Sequence, residues 1–342
     1  MPDITVSRPG QIQAAGAVDA LFLKQFSGEV LATFARKVAT AGSYMEKRIS
    51  AGKSWQFPAL SRATSKRFTV GDNILNDTNG YLSTIKGDER VILVDSPIIS
   101  AVVISDIDEA MNHFETRAEY VNQLAEALAL DHDTHVLSVG IAAARTDLTF
   151  AHADYVADRV INGVTSDAES IVANLLEAAK IMDKNDVPSE GRICFLRPDE
   201  YYALMYKYTG GTLTPGILTN ADYNSGAGTA FQNARIPFPI AGFEIRMTKN
   251  LPSTDKSGTS DDVAGTSNND VFSTNGHGYN GDFSDTVGLC VQRSAVGSVK
   301  LWDVMTKAEY KLEAQGYLTV SRLAEGHGVL RPEAAVELSS AA

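Results

Sequence analysis

Two of the six histidines, His132 and His135, stand three residues apart, a spacing that one side of a helix can present together. Asp131 and Asp133 flank the first of them, so a metal site is conceivable. Zinc takes three or four ligands in a matched environment, and no HExxH run accompanies the pair. The plainer interpretation is the polar face of a long helix. His152 and Asp154 share a loop-like composition, His277 lies in a polar stretch, and His327 sits between two glycines. Exposed or locally hydrogen-bonded imidazoles are expected there. No GxxxxGK[ST] phosphate loop occurs, and the run VLSVG at 136–140 lacks the first glycine of a nucleophile elbow. Acid pairs such as Asp131/Asp133 and Asp261/Asp262 carry little information in a chain with 42 acids. Cys194 and Cys290 each sit in an apolar, strand-like run, which predicts buried free thiols instead of a disulfide or a metal site. The expectation is a protein with no catalytic, cofactor-binding or metal-ligating residues. A soluble metal-dependent enzyme using His132 and His135 is the alternative from that class.

The elements that would position such groups are more informative. At 342 residues the chain calls for two lobes, or one domain with long extensions, and 44% hydrophobic content can fill a sizeable core. The longest apolar runs, at 98–99 and 101–104, are far shorter than a membrane span, and the first ten residues lack a signal pattern. A cytoplasmic product with no membrane partner is expected. Residues 1–16 look like a loose tail. Leu21, Phe22, Phe26, Val30, Phe34 and Val38 recur at three- and four-residue spacing and predict a helix over 17–38. KSWQFPAL and ERVILVD, separated by the turn-rich GDNILNDTNG, predict a long two-stranded hairpin across 53–96. Such a hairpin is marginal alone in water, so it must lie on its own body or on a neighbouring subunit.

Residues 105–144 predict the dominant helix. Ser105 and Asp108 resemble a capping box, and an apolar stripe runs through Ile107, Met111, Phe114, Ala118, Val121, Leu124 and Leu128. Unbroken, it would span about 50 Å; a bend near 131–133 or an end at Gly140 is also allowed. Ser166 with Glu169 predicts the cap of a second helix. RICFLRP, AGFEIRM and TVGLCVQRSAVGSVKLWDV read as strands, DEYYALMY as a short helix, and 253–286 as a polar surface insertion. The last stretch, from YLTVSRL onward, reads as a strand broken at Gly326 and Gly328. Helices and strands mix without βαβ alternation, which gives an α+β class.

The net charge of −12 is unevenly spread. Residues 20–70 hold nine Lys/Arg against two acids, a local sum of +7, whereas 71–180 hold nineteen acids against six Lys/Arg, a sum of −13. A basic run alone could mean nucleic acid or a solvated face. The asymmetry is better explained by the basic arm of one copy lying on the acidic body of another.

Several strings resemble the major capsid proteins of short-tailed, autographivirus-type bacteriophages. They are ALFLKQFSGEVLATFAR at 20–36, KRISAGKSWQFPAL at 47–60, DIDEAMNHFETRAEY at 106–120, AGFEIRMTKNLP at 241–252, VGLCVQRSAVGSVKLWD at 287–303 and GHGVLRPEAA at 326–335. Residues 145–165 and 253–286 match least. The resemblance implies the tailed-phage capsid fold, shared with encapsulins and the herpesvirus capsid floor. It divides the chain into an N-terminal arm (1–52), an E-loop hairpin (53–96), a P-domain with a spine helix (97–190), an A-domain (191–307) and a return to the P-domain (308–342). It implies a virion subunit that self-assembles into pentamers and hexamers of an icosahedral shell around double-stranded DNA, without sequence-specific DNA binding. Procapsid maturation, a scaffolding protein, a portal and assembly in the host bacterial cytoplasm follow from the same resemblance. An encapsulin-like compartment shell is the runner-up.

Expected intersubunit contacts are Trp55, Phe57, Arg62, Lys66 and Arg67 on the hairpin, meeting Asp106, Asp108, Glu115 or Glu119 on a neighbour. Trp and Arg are frequent interface anchors. Gly42 and Gly52 are the hinge candidates for an arm that moves when the shell expands. No motif carries over the lysine–asparagine cross-link of some relatives, so a non-covalent shell is expected.

Overall fold

The computed structural model describes residues 38–60, 63, 65–75, 80–83, 85, 87–105, 117–146, 158–204, 206–209, 212–215, 239–256, 279 and 281–341. The predicted helix over 17–38, apart from its last residue, lies outside them, as do Arg62, Asp106, Asp108 and Glu115, and with Asp108 the partner of Ser105 in the expected capping box.

Two sheets share one long helix. The first sheet has the order β1 (Met45–Arg48), β11 (Val296–Lys311), β12 (Gly316–Val329), β4 (Ile98–Ser105). Its β1–β11 pair is parallel and the rest antiparallel. The second has the order β5 (Val160–Ile161), β13 (Ala335–Ser339), β10 (Thr286–Gln292), β6 (Arg192–Leu196), β9 (Glu244–Met247). All five residues of β6 and six of the seven in β10 are buried, as suits strands covered on both faces. Cys194 and Cys290 are direct cross-strand neighbours there, both free and buried.

Helix α1 (Arg117–Arg145) packs against β4, β11 and β12 of the first sheet and β10 and β13 of the second. At 1.5 Å per residue its 29 residues run about 44 Å. It runs on through 131–133 and does not end at Gly140. The polar residues at 132 and 133 find partners on distant strands and loops, described below. Gly140 lets the helix press onto β10, because a Cβ there would meet a Leu289 methyl at 2.7 Å. From Val136 to Ala144 every residue is buried, the pattern of a helix enclosed all round.

Helix α2 (Ala168–Lys184) buries Ala168, Ile171, Leu175, Ala178, Ile181 and Met182, one apolar stripe. Its N-cap is Asp167, with no side-chain cap bond, so the predicted Ser166/Glu169 box is not made. The Ser170 hydroxyl instead accepts from the Thr165 N–H and from Asn174 Nδ2. Helix α3 (Pro198–Ala203) starts with Pro198 in its first turn, where the missing N–H costs nothing. Strands β7 (Tyr206–Thr209) and β8 (Thr212–Pro215) pair with each other.

The hairpin predicted over 53–96 is present as β2 (Ser54–Leu60) paired antiparallel with β3 (Gly87–Leu93), in the register Trp55↔Ile92 and Phe57↔Arg90. Strand β12 is continuous where a break at Gly326 and Gly328 was expected. Those glycines make room instead. A Cβ at 326 would collide with the Leu93 carbonyl, and one at 328 would press on the Ile92 side chain at 2.9 Å. The hairpin base can therefore lie directly on the sheet. The polar 253–286 insertion leaves and returns at one place: Asp255 bridges Asp282, and the Lys256 N–H donates to the Gly281 carbonyl. Strand β11 runs through the division expected at 307, and β13 lies in the second sheet beside β10.

Candidate assembly surface and the junction beneath it

The subunit's own body covers the hairpin unevenly. Ile92 is buried against Ile49, Val94, Val299 and Ala324, and Phe57 packs half-buried on the same cluster. Trp55 remains 39% exposed, with the Lys47 ammonium 4.6 Å from its ring centre. Leu60 at the end of β2 and, beyond the paired strands, Phe68, Val70, Ile74, Leu75, Leu82 and Ile85 are all at least half exposed. Tyr81 organises this distal part. Its hydroxyl accepts from the Thr69 N–H and donates to Asp72 at 2.5 Å, while Phe68 packs against its ring and Lys66 sits above it. Lys66 and Arg67 are exposed. The expected hairpin residues therefore divide. Trp55, Lys66 and Arg67 face outward, whereas Phe57 serves the chain's own body. Glu119 lies in the first turn of α1.

Gly42 and Gly52 bracket β1, and both hold positive φ, 79° and 105°. A Cβ at either would touch nothing, so the backbone conformation alone demands glycine.

Beneath the hairpin base lies a buried polar junction. Glu325 and His327 alternate on β12, so both project to one side, toward α1. His132 Nδ1 is 2.6 Å from Glu325 Oε1, and its Nε2 is 2.9 Å from the Tyr44 hydroxyl. His327 Nε2 lies 3.3 Å from the same Glu325 oxygen. His135, one turn along α1, stacks on Tyr279 at 4.1 Å, and the Tyr279 hydroxyl donates to Asp95 at the end of the hairpin. Burial alone would raise the Glu325 carboxyl. The two imidazoles beside it outweigh that and hold it far below the usual carboxylate range. Burial pushes His135 down to about 3, with His327 adding to the effect. Burial pushes the Asp95 carboxyl up to about 6 despite the Tyr279 bond, and Glu325 adds to the rise.

Three further sets of contacts fix α1. Asp133, fully buried, accepts from the Thr40 N–H at 2.9 Å, the Ala39 N–H at 3.4 Å and Asn250 Nδ2 at 2.7 Å. It ties the segment before β1 to the helix. Replacing Asp133 by alanine leaves those buried donors unpaired, and we expect a loss on the order of 2 kcal/mol in urea unfolding. Faster protease cleavage near residue 40 should accompany it. At the helix C-terminus, Arg145 and the wholly buried Glu337 of β13 form a two-pronged pair, both N–O distances 2.5 Å. Arg145 Nη1 also donates to the Asp282 carbonyl, and Thr286 Oγ1 donates to Glu337. Arg159, buried on the approach to β5, donates to the Ala143 and Thr146 carbonyls and so caps the helix end.

Sequence spacing puts His132 and His135 on one helix side, and His327, between two glycines, is expected to be exposed or locally hydrogen-bonded. The structure buries His327 completely, with its ring centre 5.1 Å from that of His132. The available signal was the Glu325–Gly326–His327–Gly328 alternation near the end of a strand. It sits 193 residues from its helix partner, beyond any local pattern.

Two sheets about an enclosed helix, with a long hairpin seated on one sheet, make the capsid-subunit fold of tailed phages. The capsid protein of bacteriophage PhiM1 superposes with a TM-score of 0.70 at 17% identity, covering 98% of this chain and 96% of that one. The capsid protein of cyanophage P-SCSP1u superposes with a TM-score of 0.75 at 30% identity over 99% of both chains. Residues 56–339 match the family described as Gp10A-like major capsid protein. The major capsid protein of Escherichia phage T7 is 34% identical over 346 aligned residues, 95% of this chain and 93% of that protein. The chain belongs to the Gp10A-like major capsid protein family, and it is a shell subunit of a phage virion.

Proposed function

We propose that this subunit closes into an icosahedral shell of pentamers and hexamers around double-stranded DNA, with the outward face of its β2–β3 hairpin lying on an adjacent copy. The observation that carries the reading is the hairpin itself. It is a two-stranded ribbon with exposed Trp55 and a row of exposed aliphatic side chains beyond it. Such a ribbon needs a surface to cover it. Basic Lys66 and Arg67 fit an acidic partner, and the acidic residues at 106, 108, 115 and 119 of a second copy supply the charge. Each contact is modest, and shell closure multiplies them through effective concentration.

The same reading divides the molecule by sheet. The first sheet, with most of α1, is the peripheral domain. The second sheet, with α2 and α3, is the axial domain. Gly42 and Gly52 are hinges for the arm. A scaffolding protein and a portal are partners in assembly, which takes place in the host cytoplasm. The DNA is enclosed without sequence readout, consistent with an acidic chain. The role is structural, without catalysis.

Trp55→Ala tests the hairpin. Trp55 is half out of the subunit, so its loss should leave the urea midpoint unchanged, while interface anchors cost about 2 kcal/mol at every contact. Folded subunits that fail to close shells under the microscope are the expected result. Normal particles at normal yield would remove the hairpin from the account.

A further inference from the structure

The junction under the hairpin holds more than assembly requires. His132, Glu325 and His327 are all buried, and one donor atom from each lies within 4.8 Å of the others. A second observation is independent of that proximity. Among the described residues, His327 Nδ1 and Glu325 Oε2 are fully enclosed without a hydrogen-bond partner, and His327 Nε2 has only its 3.3 Å approach to Glu325 Oε1. An enclosed imidazole with so little engagement beside an enclosed carboxylate oxygen is an uncommon arrangement, and it calls for a bound species.

We propose that His132, Glu325 and His327 form a site for one divalent transition metal of the zinc class, a structural brace between α1 and β12. Two imidazoles and one carboxylate suit zinc and its neighbours in the first transition row. Calcium and magnesium prefer all-oxygen sites. His132 faces Glu325 through Nδ1, so that nitrogen is the ligand. Its Nε2–H then donates to the Tyr44 hydroxyl at 2.9 Å, which fixes the tautomer and ring orientation. An ion seated between Nδ1 and Oε1 replaces their hydrogen bond and spreads the two atoms to about 3 Å, as metal–ligand distances near 2 Å require. His327 turns Nε2, 3.3 Å from Oε1, toward the same point. His135 is excluded as a ligand because its ring is stacked on Tyr279.

Access comes from an adjoining pocket of about 440 Å³, which Glu325, His135, Tyr279 and Asp95 help to line. The pocket also has room for a water in the remaining coordination position. Glu325 and His327 flank Gly326, on which the hairpin base rests. An ion here would therefore stiffen helix, sheet and hairpin base together. It acts within the folded subunit and does not depend on how the shell closes.

The test uses the full-length chain, treated with EDTA, dialysed, and titrated with cobalt(II) chloride and then zinc chloride. The expected result is one ion per chain by mass spectrometry of the metal. Visible cobalt bands of a four- or five-coordinate site should appear, and zinc should displace them and raise the melting temperature. His327→Gln should weaken zinc binding at least tenfold, the scale on which ligand shells act. His135→Gln should leave it unchanged. If His327→Gln does not fold, Glu325→Gln takes its place. Wild-type protein that takes up no stoichiometric cobalt or zinc would overturn the proposal. So would a folded ligand variant that keeps the full cobalt spectrum.

Discussion

Arg145→Ala will unfold the subunit more readily than any surface change. The substitution leaves Glu337, wholly buried in β13, with Thr286 as its remaining side-chain hydrogen-bond partner. A buried carboxylate stripped of its counter-ion costs roughly 3–5 kcal/mol. The damage falls where α1 enters the second sheet, so both the helix end and the β10–β13 pair should loosen. Urea unfolding of soluble subunits is the measurement, and a lower midpoint with less soluble protein is the expected reading. The double variant Arg145→Met with Glu337→Met separates charge from packing. Replacing a buried pair by apolar groups of similar size is often neutral or stabilising. Recovery of the midpoint in the double variant would assign the loss to the unpaired charge.

Gly326→Val is expected to be nearly as damaging, for a steric reason. Strand β12 lies between β11 and β4, so it cannot yield easily, and the added Cβ meets the backbone carbonyl of Leu93 instead of a flexible side chain. Overpacking of this kind costs about 3 kcal/mol at its upper end. The hairpin base must lift off the sheet, taking Ile92 from its buried cluster and breaking the bond from the Asp95 N–H to the Glu325 carbonyl. Two readouts should move together. The urea midpoint should fall, and hydrogen exchange at residues 91–95 should rise. A variant that keeps wild-type exchange at those amides would contradict the seating of the hairpin on Gly326.

Features set by local patterns were legible in the sequence. The alternation of KSWQFPAL and ERVILVD, with turn residues between them, located β2 and β3. The three- and four-residue spacing through Val121, Leu124 and Leu128 located α1. What failed depends on partners far along the chain. His132 and Asp133 carried no local sign of their partners. In the fold one is met by Glu325 and Tyr44, the other by Thr40 and Asn250. Gly140, Gly326 and Gly328 looked like breaks, yet each is a point where another element presses close. A glycine reads the same in sequence whether it ends an element or admits a neighbour, and only the neighbour's position decides. The candidate contact residues showed the same limit. Trp55 and Phe57 look equivalent by alternation, but the body of the subunit claims Phe57 and leaves Trp55 exposed.

The most direct test of the central claim is to express the chain alone and together with a scaffolding protein, then measure particle mass by light scattering with negative-stain microscopy. Closed shells, or rings of five and six subunits, are the expected result. A stable monomer under both conditions, with no particles, would contradict it.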